Sequence, residues 1–229
     1  PSNVILEAAI HTTAEAFLAK AKNENLLENP YLPVACICNG KLRELTFPIR
    51  YDSTLQAITI QDSDGARIYR RSLVLMLTTA IDEKFPNTRV NVSYAVPDGG
   101  YYCSLTTREP FTQEEIQILE NHMREMVQQN IPITKRTVPL QEAIQLFQSR
   151  EEIDKVRLMQ FRKDGSLTLY KLNHREDYYY GYMVPSTGYL QNFRLIHTED
   201  GFIMQYPRTS SPDKLNGMST GHKLIDVFH

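Results

Sequence analysis

The sequence contains no tryptophan, only three cysteines and only ten glycines in 229 residues. It has no apolar run near the roughly 20 residues that a membrane-spanning helix needs. Its first residues, PSNVILEAAIHTTAEAF, lack the basic start and long apolar stretch of a secretory signal. An odd number of cysteines without a regular spacing excludes a disulfide framework and suits a reducing compartment. These absences predict a cytoplasmic protein with no membrane partner.

Motifs for nucleotide binding and hydrolysis are also missing. The text nearest to a P-loop, GMSTGHKL at residues 217–224, is one residue short and has histidine where the motif requires lysine. There is no Gly-x-Ser-x-Gly motif and no pair of histidines one helical turn apart. Cys36 and Cys38 are too close in sequence for a zinc knuckle, and His174 and His197 are the histidines expected to meet across neighbouring strands. We therefore expect no metal site and no cofactor within this chain.

The net charge of −2 gives no bulk electrostatic reason to expect nucleic acid, although a local basic patch is compatible with it. Helix and strand patterns are segregated along the chain, which predicts the α+β class. Residues 4–10 are strand-like, and Thr12 with Glu15 forms the pattern of a capping box at a helix start. Asn39-Gly40 between two strand-like segments predicts a type I′ hairpin.

The second part of the chain opens with a long helix predicted over residues 68–85, apolar on most of its circumference. A second capping box, Thr112 with Glu115, begins the next helix. Residues 156–161 and 167–172 flank a Lys-Asp-Gly turn and are predicted to form a further hairpin.

The stretch EDYYYGYMVPSTGYL, residues 176–190, holds five of the thirteen tyrosines and is interpreted as a strand. Guanidinium groups suit phosphate and tyrosine rings can stack on bases, so this run and the basic residues fit an RNA-binding surface. The alternative, which the residues alone favour, is solvated basic faces and aromatics that prefer strands. The basic residues concerned are Arg67, Arg70, Arg71, Lys135, Arg136, Arg157, Arg162 and Lys163.

Three long stretches are similar to the editing domain of threonyl-tRNA synthetases: RRSLVLMLTTAIDEKFPNTRVNVSYAVPDGGYYC, REPFTQEEIQILENHMREMVQQNIPITKRTVPLQEA and YYYGYMVPSTGYLQNFRL. The likeness covers residues 66–208. The segment CNGKLRELTFPI resembles the TGS domain that precedes editing domains in those synthetases. With RIYRRSL, YPR and PDKL, the two units in this order resemble still more closely the amino-terminal half of bacterial uridine kinase-like proteins.

These resemblances imply two domains. Residues 1–62 would form a small TGS-like β-grasp domain, with a boundary near QDSDG at residues 61–65. Residues 63–229 would form a degenerate threonyl/alanyl-tRNA synthetase editing-like domain, in which residues 209–229 connect to a kinase domain outside this chain.

The synthetase resemblance also implies a site. The family's editing site uses a His-x-x-x-His pair on the long helix and a Cys-x-x-x-His pair on a later strand, which fall here on Arg71, Leu75, Tyr179 and Met183. Leucine and methionine cannot act as a general base, so the family's hydrolysis is not expected. A pocket with an arginine and a tyrosine at its mouth would bind an anionic or aromatic ligand, if a bend at Gly181 turns both tyrosine-run positions inward. Further contacts to an anion or a base are expected from Arg70, Arg136, Tyr180 and Tyr182.

The kinase-like resemblance implies a non-catalytic ligand-binding or regulatory region of an ATP-dependent uridine (nucleoside) kinase. ATP and Mg²⁺ would then belong only to the linked kinase domain, and a nucleoside, a nucleotide or RNA would bind here. The alternative is an RNA- or tRNA-binding module related to synthetase editing domains, with a basic surface joining Arg70, Arg71, Lys135 and Arg136 to the tyrosines. A third hypothesis is an aminoacyl-ester hydrolase with a relocated site at His174 or His197.

Overall fold

The computed structural model describes residues 4–215 and residue 217, and it confirms the α+β class. Within these residues, all strand pairings are antiparallel and form three sheets, ordered β2-β1-β3, β4-β5-β10-β9 and β6-β7-β8. The elements in chain order are α1 (Ala14–Asn23), β1 (Ala35–Cys38), β2 (Lys41–Arg43), β3 (Leu55–Ile58), α2 (Ser63–Lys84), β4 (Val90–Val96), β5 (Gly100–Leu105), α3 (Gln113–Gln129), β6 (Thr134–Pro139), α4 (Leu140–Ser149), α5 (Ile153–Gln160), β7 (Ser166–Leu172), β8 (Arg175–Tyr178), a 3-10 turn (Thr187–Tyr189), β9 (Arg194–Thr198) and β10 (Gly201–Gln205).

The first sheet forms around the predicted hairpin. Asn39 and Gly40 have φ angles of 48° and 76°, as a type I′ turn requires, so the hairpin is confirmed. The helix cap differs by one residue: Thr13 accepts a backbone N–H of α1 at 3.3 Å, whereas Thr12 donates its hydroxyl to a preceding carbonyl. With Thr13 as the cap, the third helical position is Ala16, so Glu15 cannot complete a capping box; its carboxylate instead accepts the hydroxyl of Tyr189 at 2.6 Å.

The strand predicted over residues 4–10 is absent. Ile5 and Ile10 are 88% and 72% exposed, and no described strand lies beside them. Pairing of this end of the chain begins at His11, whose N–H donates to the carbonyl of Ile49 at 2.8 Å. Strand propensity alone is not sufficient, because a strand is stable only when it pairs and packs with neighbours, and residues 4–10 belong to no sheet and are mostly exposed.

The long helix α2 is confirmed and begins at Ser63, five residues before the predicted start. One hydrophobic cluster joins the first sheet, α2, α3 and the second sheet, so α2 is enclosed on most sides. Helix α3 has the predicted capping box, in which Thr112 accepts the N–H of Glu115 at 3.2 Å and the Glu115 carboxylate accepts the N–H of Thr112 at 2.9 Å. The two helices place the site described below on a buried support.

Two sequence predictions about the strands of the third sheet are wrong. Residues 156–161 do not form a strand, because they lie almost wholly in α5, where Val156 and Met159 are buried at the i, i+3 spacing of a helix. Strand β7 pairs instead with β6 and β8. The tyrosine stretch leaves the sheet after Tyr178, so the strand interpretation is wrong for most of residues 176–190.

Some predictions concern residues that lie outside the described part of the chain. These are most of the P-loop-like stretch 217–224 and residues 216 and 218–229 of the predicted connector 209–229. Within the described part, none of the helices combines the length and apolar character needed to cross a bilayer.

Candidate functional site

An open cleft of about 350 Å³ lies where the tyrosine stretch leaves the third sheet; we call it the tyrosine cleft. Tyr180 stands at its rim with 88% of its surface exposed, whereas Tyr170 is buried in its floor. The cleft therefore combines one exposed ring with less exposed tyrosines and two cationic side chains. Its aromatic and cationic lining residues are Tyr170, Tyr178, Tyr179, Tyr180, Tyr182, Lys135 and Arg162.

The backbone bends at Gly181, as expected, with a φ of 121° that favours glycine. The guanidinium of Arg71 lies directly against this residue, since a Cβ built at Gly181 would be only 2.7 Å from the guanidinium carbon. Arg71 also donates from Nη1 to the carbonyl oxygen of Tyr182 at 2.6 Å. Burial lowers the pKa of Arg71, but an arginine remains a cation at neutral pH. Arg71 therefore holds the bend in place as a donor.

The other three positions taken from the synthetase resemblance lie along α2, not at one point. Met183 contacts Ser72, whose hydroxyl lies 3.4 Å from the Met183 sulfur, and Leu75 is fully buried in the core. Tyr179 places its hydroxyl near Thr78, and burial there raises its pKa. Ser72 and Thr78 are separated by about 9 Å along the helix axis. The structure thus brings all these side chains to α2 but spreads them over nearly two turns.

Sequence reasoning missed Glu44, a carboxylate that lies behind the tyrosine cleft and is only 5% exposed. Tyr170 donates its hydroxyl to Glu44 Oε1, Lys135 Nζ lies 2.5 Å from Oε2, and the N–H of Met183 donates to Oε1 at 3.4 Å. Burial, and then the Glu44 carboxylate, raise the pKa of Tyr170 so that it remains a protonated donor. The sequence offered one weak signal, because Glu44 falls on the same face of an alternating strand as Leu42.

Two further predicted contacts face away from the tyrosine cleft. Arg136 pairs with Glu142 at 2.6 Å and with Glu176 at 2.7 Å, and these carboxylates raise its pKa. Its neighbour in β6 lines the cleft, so alternation sends Arg136 to the other face. Arg70 lies over the ring of Tyr206, at 5.3 Å from the ring centroid, and lines a different cleft. The basic surface expected to join these arginines to the tyrosines is therefore divided.

The two histidines proposed for a relocated hydrolytic site do not meet. His174 lies in the turn between β7 and β8, whereas His197 lies in β9 of another sheet. The side chain of His174 is 57% exposed and lies 3.6 Å from the carboxylate of Glu83. Within the described part of the chain, no three or more histidine, cysteine, aspartate or glutamate side chains are grouped closely enough to hold a metal ion.

Comparison with known proteins relates most of this chain to part of the threonine–tRNA ligases. It is 30% identical over 188 residues to that of Desulforamulus reducens, 28% over 201 residues to that of Carboxydothermus hydrogenoformans, and 33% over 159 residues to that of Polaromonas naphthalenivorans. These alignments cover 82%, 86% and 69% of the chain, but only 29%, 32% and 25% of the relatives. The chain thus spans a third or less of the length of these relatives. No protein-family model matches it.

These relatives support the resemblance to a synthetase editing domain. They also correct the prediction of a uridine kinase-like protein, because they are threonine–tRNA ligases and not nucleoside kinases. The kinase activity, its ATP and the linked kinase domain were inferred from that resemblance and lose their basis with it. The TGS-like assignment of residues 1–62 and the boundary after it stay predictions.

Proposed function

We propose that this chain is a tRNA-binding module, related to synthetase editing domains, that holds an RNA end in the tyrosine cleft without hydrolysing an ester there. The observation that carries the proposal is the cleft itself, in which the exposed ring of Tyr180, three half-buried tyrosines and two cations lie at the bend supported by α2. The similarity to threonine–tRNA ligases over 82% of the chain supports tRNA as the ligand class.

Base stacking accounts for the affinity in this proposal. Tyr180 presents almost its whole ring to solvent, an unusual exposure for a large aromatic side chain. Any base can stack on such a ring, so recognition would depend little on sequence. Lys135 and Arg162 line the same cleft and would contact the phosphates, although Lys135 also pairs with Glu44 and Arg162 with Asp164.

The residues at the positions that the synthetase resemblance assigns to the editing site argue against hydrolysis. Arg71 has no acceptor atom, Leu75 is apolar, and Met183 carries only a thioether. The raised pKa of Tyr179 keeps its hydroxyl protonated at neutral pH, so it cannot take a proton from water. The carboxylate of Glu44 is the group near the cleft best suited to act as a general base. It already accepts hydrogen bonds from several donors, however, and is shielded from solvent.

Filter binding tests the proposal with intact tRNA and with tRNA lacking its 3′-terminal nucleotides, each titrated between 50 and 200 mM salt. We expect intact tRNA to bind more tightly and with a steep salt dependence. Tyr180→Ala should weaken binding about 5- to 150-fold, the range of one stacking contact. Tyr51→Ala, which removes another exposed tyrosine in the first part of the chain, is the matched control and should have no effect. Equal binding of the two tRNAs, or equal effects of the two substitutions, would refute the proposal.

A further inference from the structure

A second cleft, of about 540 Å³, opens at the amino end of α2; we call it the arginine cleft. Arg67 and Arg70 line it from one turn of α2, and Arg208 lines it from the segment that follows β10. The hydroxyl residues Thr209 and Ser210 complete that wall. No carboxylate of the described residues lines this cleft, so its local charge is positive although the chain as a whole is slightly acidic.

The positive charges in the arginine cleft are largely uncompensated. Arg70 and Arg208 form no ion pair with any residue of the described chain. Arg70 Nε is in addition buried without a hydrogen-bond partner there. Arg67 pairs with Asp64 at 2.6 Å, but both side chains are about half exposed, so water weakens that pair.

The start of α2 adds hydrogen-bond donors to these charges. Ser63 is the first residue of a helix of 22 residues and lines the cleft, so its N–H has no partner within the helix. Helix amino ends and arginine forks together favour a tetrahedral oxyanion. These donors reach the cleft from both of its walls, since Ser63, Arg67 and Arg70 belong to α2 and Arg208 follows β10.

We infer that the arginine cleft binds a phosphate group, and that it holds a backbone phosphate of the same RNA whose end lies in the tyrosine cleft. The second half of this statement rests on the proposed function. The two clefts lie on either side of two neighbouring arginines of α2, since Arg71 packs on Gly181 and Arg70 on Tyr206. Tyr101 packs beside this pair, with its ring centroid 5.1 Å from that of Tyr206. Adjacent residues of α2 therefore contact the linings of both clefts.

The first arm of the test measures binding of a single-stranded RNA ending in CCA as a function of salt. Arg208 and Arg67 are exposed, so replacing either with glutamine should leave the fold intact. Arg208→Gln and Arg67→Gln should each lower the slope of log K against log salt by about 0.7, the value of one phosphate contact on a single strand. Arg157→Gln removes an exposed arginine from α5 and should leave the slope unchanged. Tyr180→Ala should weaken binding at an unchanged slope, because stacking releases no counterions.

The second arm measures the thermal stabilisation of the protein by inorganic pyrophosphate. Wild type and Arg157→Gln should be stabilised, and Arg208→Gln should lose most of the shift. If RNA binds but Arg208→Gln keeps the wild-type slope, the arginine cleft does not contact the RNA and the inference is overturned while the proposed function stands. If RNA does not bind but pyrophosphate stabilises wild type and not Arg208→Gln, the proposed function fails and the phosphate site stands. If Arg208→Gln and Arg157→Gln respond equally to RNA and equally to pyrophosphate, the phosphate site itself is overturned.

Discussion

Replacing Gly181 with alanine tests the support of the tyrosine cleft. The φ of 121° at this residue is costly for any residue with a Cβ, and the new Cβ would lie 2.7 to 2.8 Å from three atoms of the Arg71 guanidinium. Because the guanidinium ends a flexible side chain, we expect Arg71 to swing away. It would then lose its hydrogen bond to the carbonyl of Tyr182.

The expected change in the free energy of unfolding is the sum of these two effects. The strained backbone costs about 1–3 kcal/mol. The lost charged hydrogen bond costs about 1–2 kcal/mol once the solvent around a half-buried guanidinium is taken into account. Gly181→Ala should therefore lower the free energy of unfolding by about 2–5 kcal/mol. In an Arg71→Ala background only the backbone strain remains, which predicts a coupling energy of about 1–2 kcal/mol between the two positions.

Urea unfolding followed by circular dichroism measures this double-mutant cycle. Gly165→Ala is the matched control, because a Cβ at that glycine meets no atom within 4 Å, and its effect should stay within about 0.5 kcal/mol. The reasoning is refuted if Gly181→Ala behaves like Gly165→Ala, or if the effects at positions 181 and 71 simply add.

Two further predictions concern buried ionisable groups. Burial acts to raise the pKa of Asp177, but Lys155 at 2.6 Å and Arg175 at 2.9 Å outweigh it and lower that pKa below the ordinary value of 3.8. The carboxylate therefore stabilises the fold fully above about pH 4, and progressively less as the pH falls through its native pKa. Asp177→Asn should remove this dependence, so the urea midpoint should fall less steeply with pH on the acid side than it does in the wild type. An equally steep fall in both proteins would contradict this. Burial also raises the pKa of Cys36 to about 11 and that of Cys103 to about 12. Neither thiol should therefore react with a thiol reagent at pH 8 until the protein is unfolded. Labelling of either cysteine in the native protein, located by mass spectrometry, would show that these thiols are not buried.

Two features that depend only on neighbouring residues were predicted correctly from the sequence, whereas the capping box at Thr12 and Glu15 was not. The turn at Asn39 and Gly40 and the capping box at Thr112 are decided within four residues, and both are present. Residues 156–161 were misassigned because the turn after them suits a hairpin, whereas the strand that pairs with β7 lies earlier in the chain, at residues 134–139. Local turn chemistry does not state which distant segment supplies the partner strand.

At the candidate site, too, the sequence led to some features and missed those that depend on residues distant in the chain. The resemblance to synthetases led to α2 and the tyrosine run, and the structure brings Arg71 and Gly181 into contact. Glu44 was missed because its contact with Met183 joins residues 139 positions apart. The kinase interpretation was wrong because it depended on the order of two units and a few short motifs, whereas the relatives are threonine–tRNA ligases.

Binding without hydrolysis is tested most directly on one sample of mischarged aminoacyl-tRNA with the protein in excess. Filter retention and the fraction of intact ester are followed together over time. We expect the tRNA to be retained while its ester decays at the rate of the protein-free sample. Ester loss clearly faster than in that sample would contradict the absence of a catalytic base, and a lack of retention would contradict the tyrosine cleft as an RNA site.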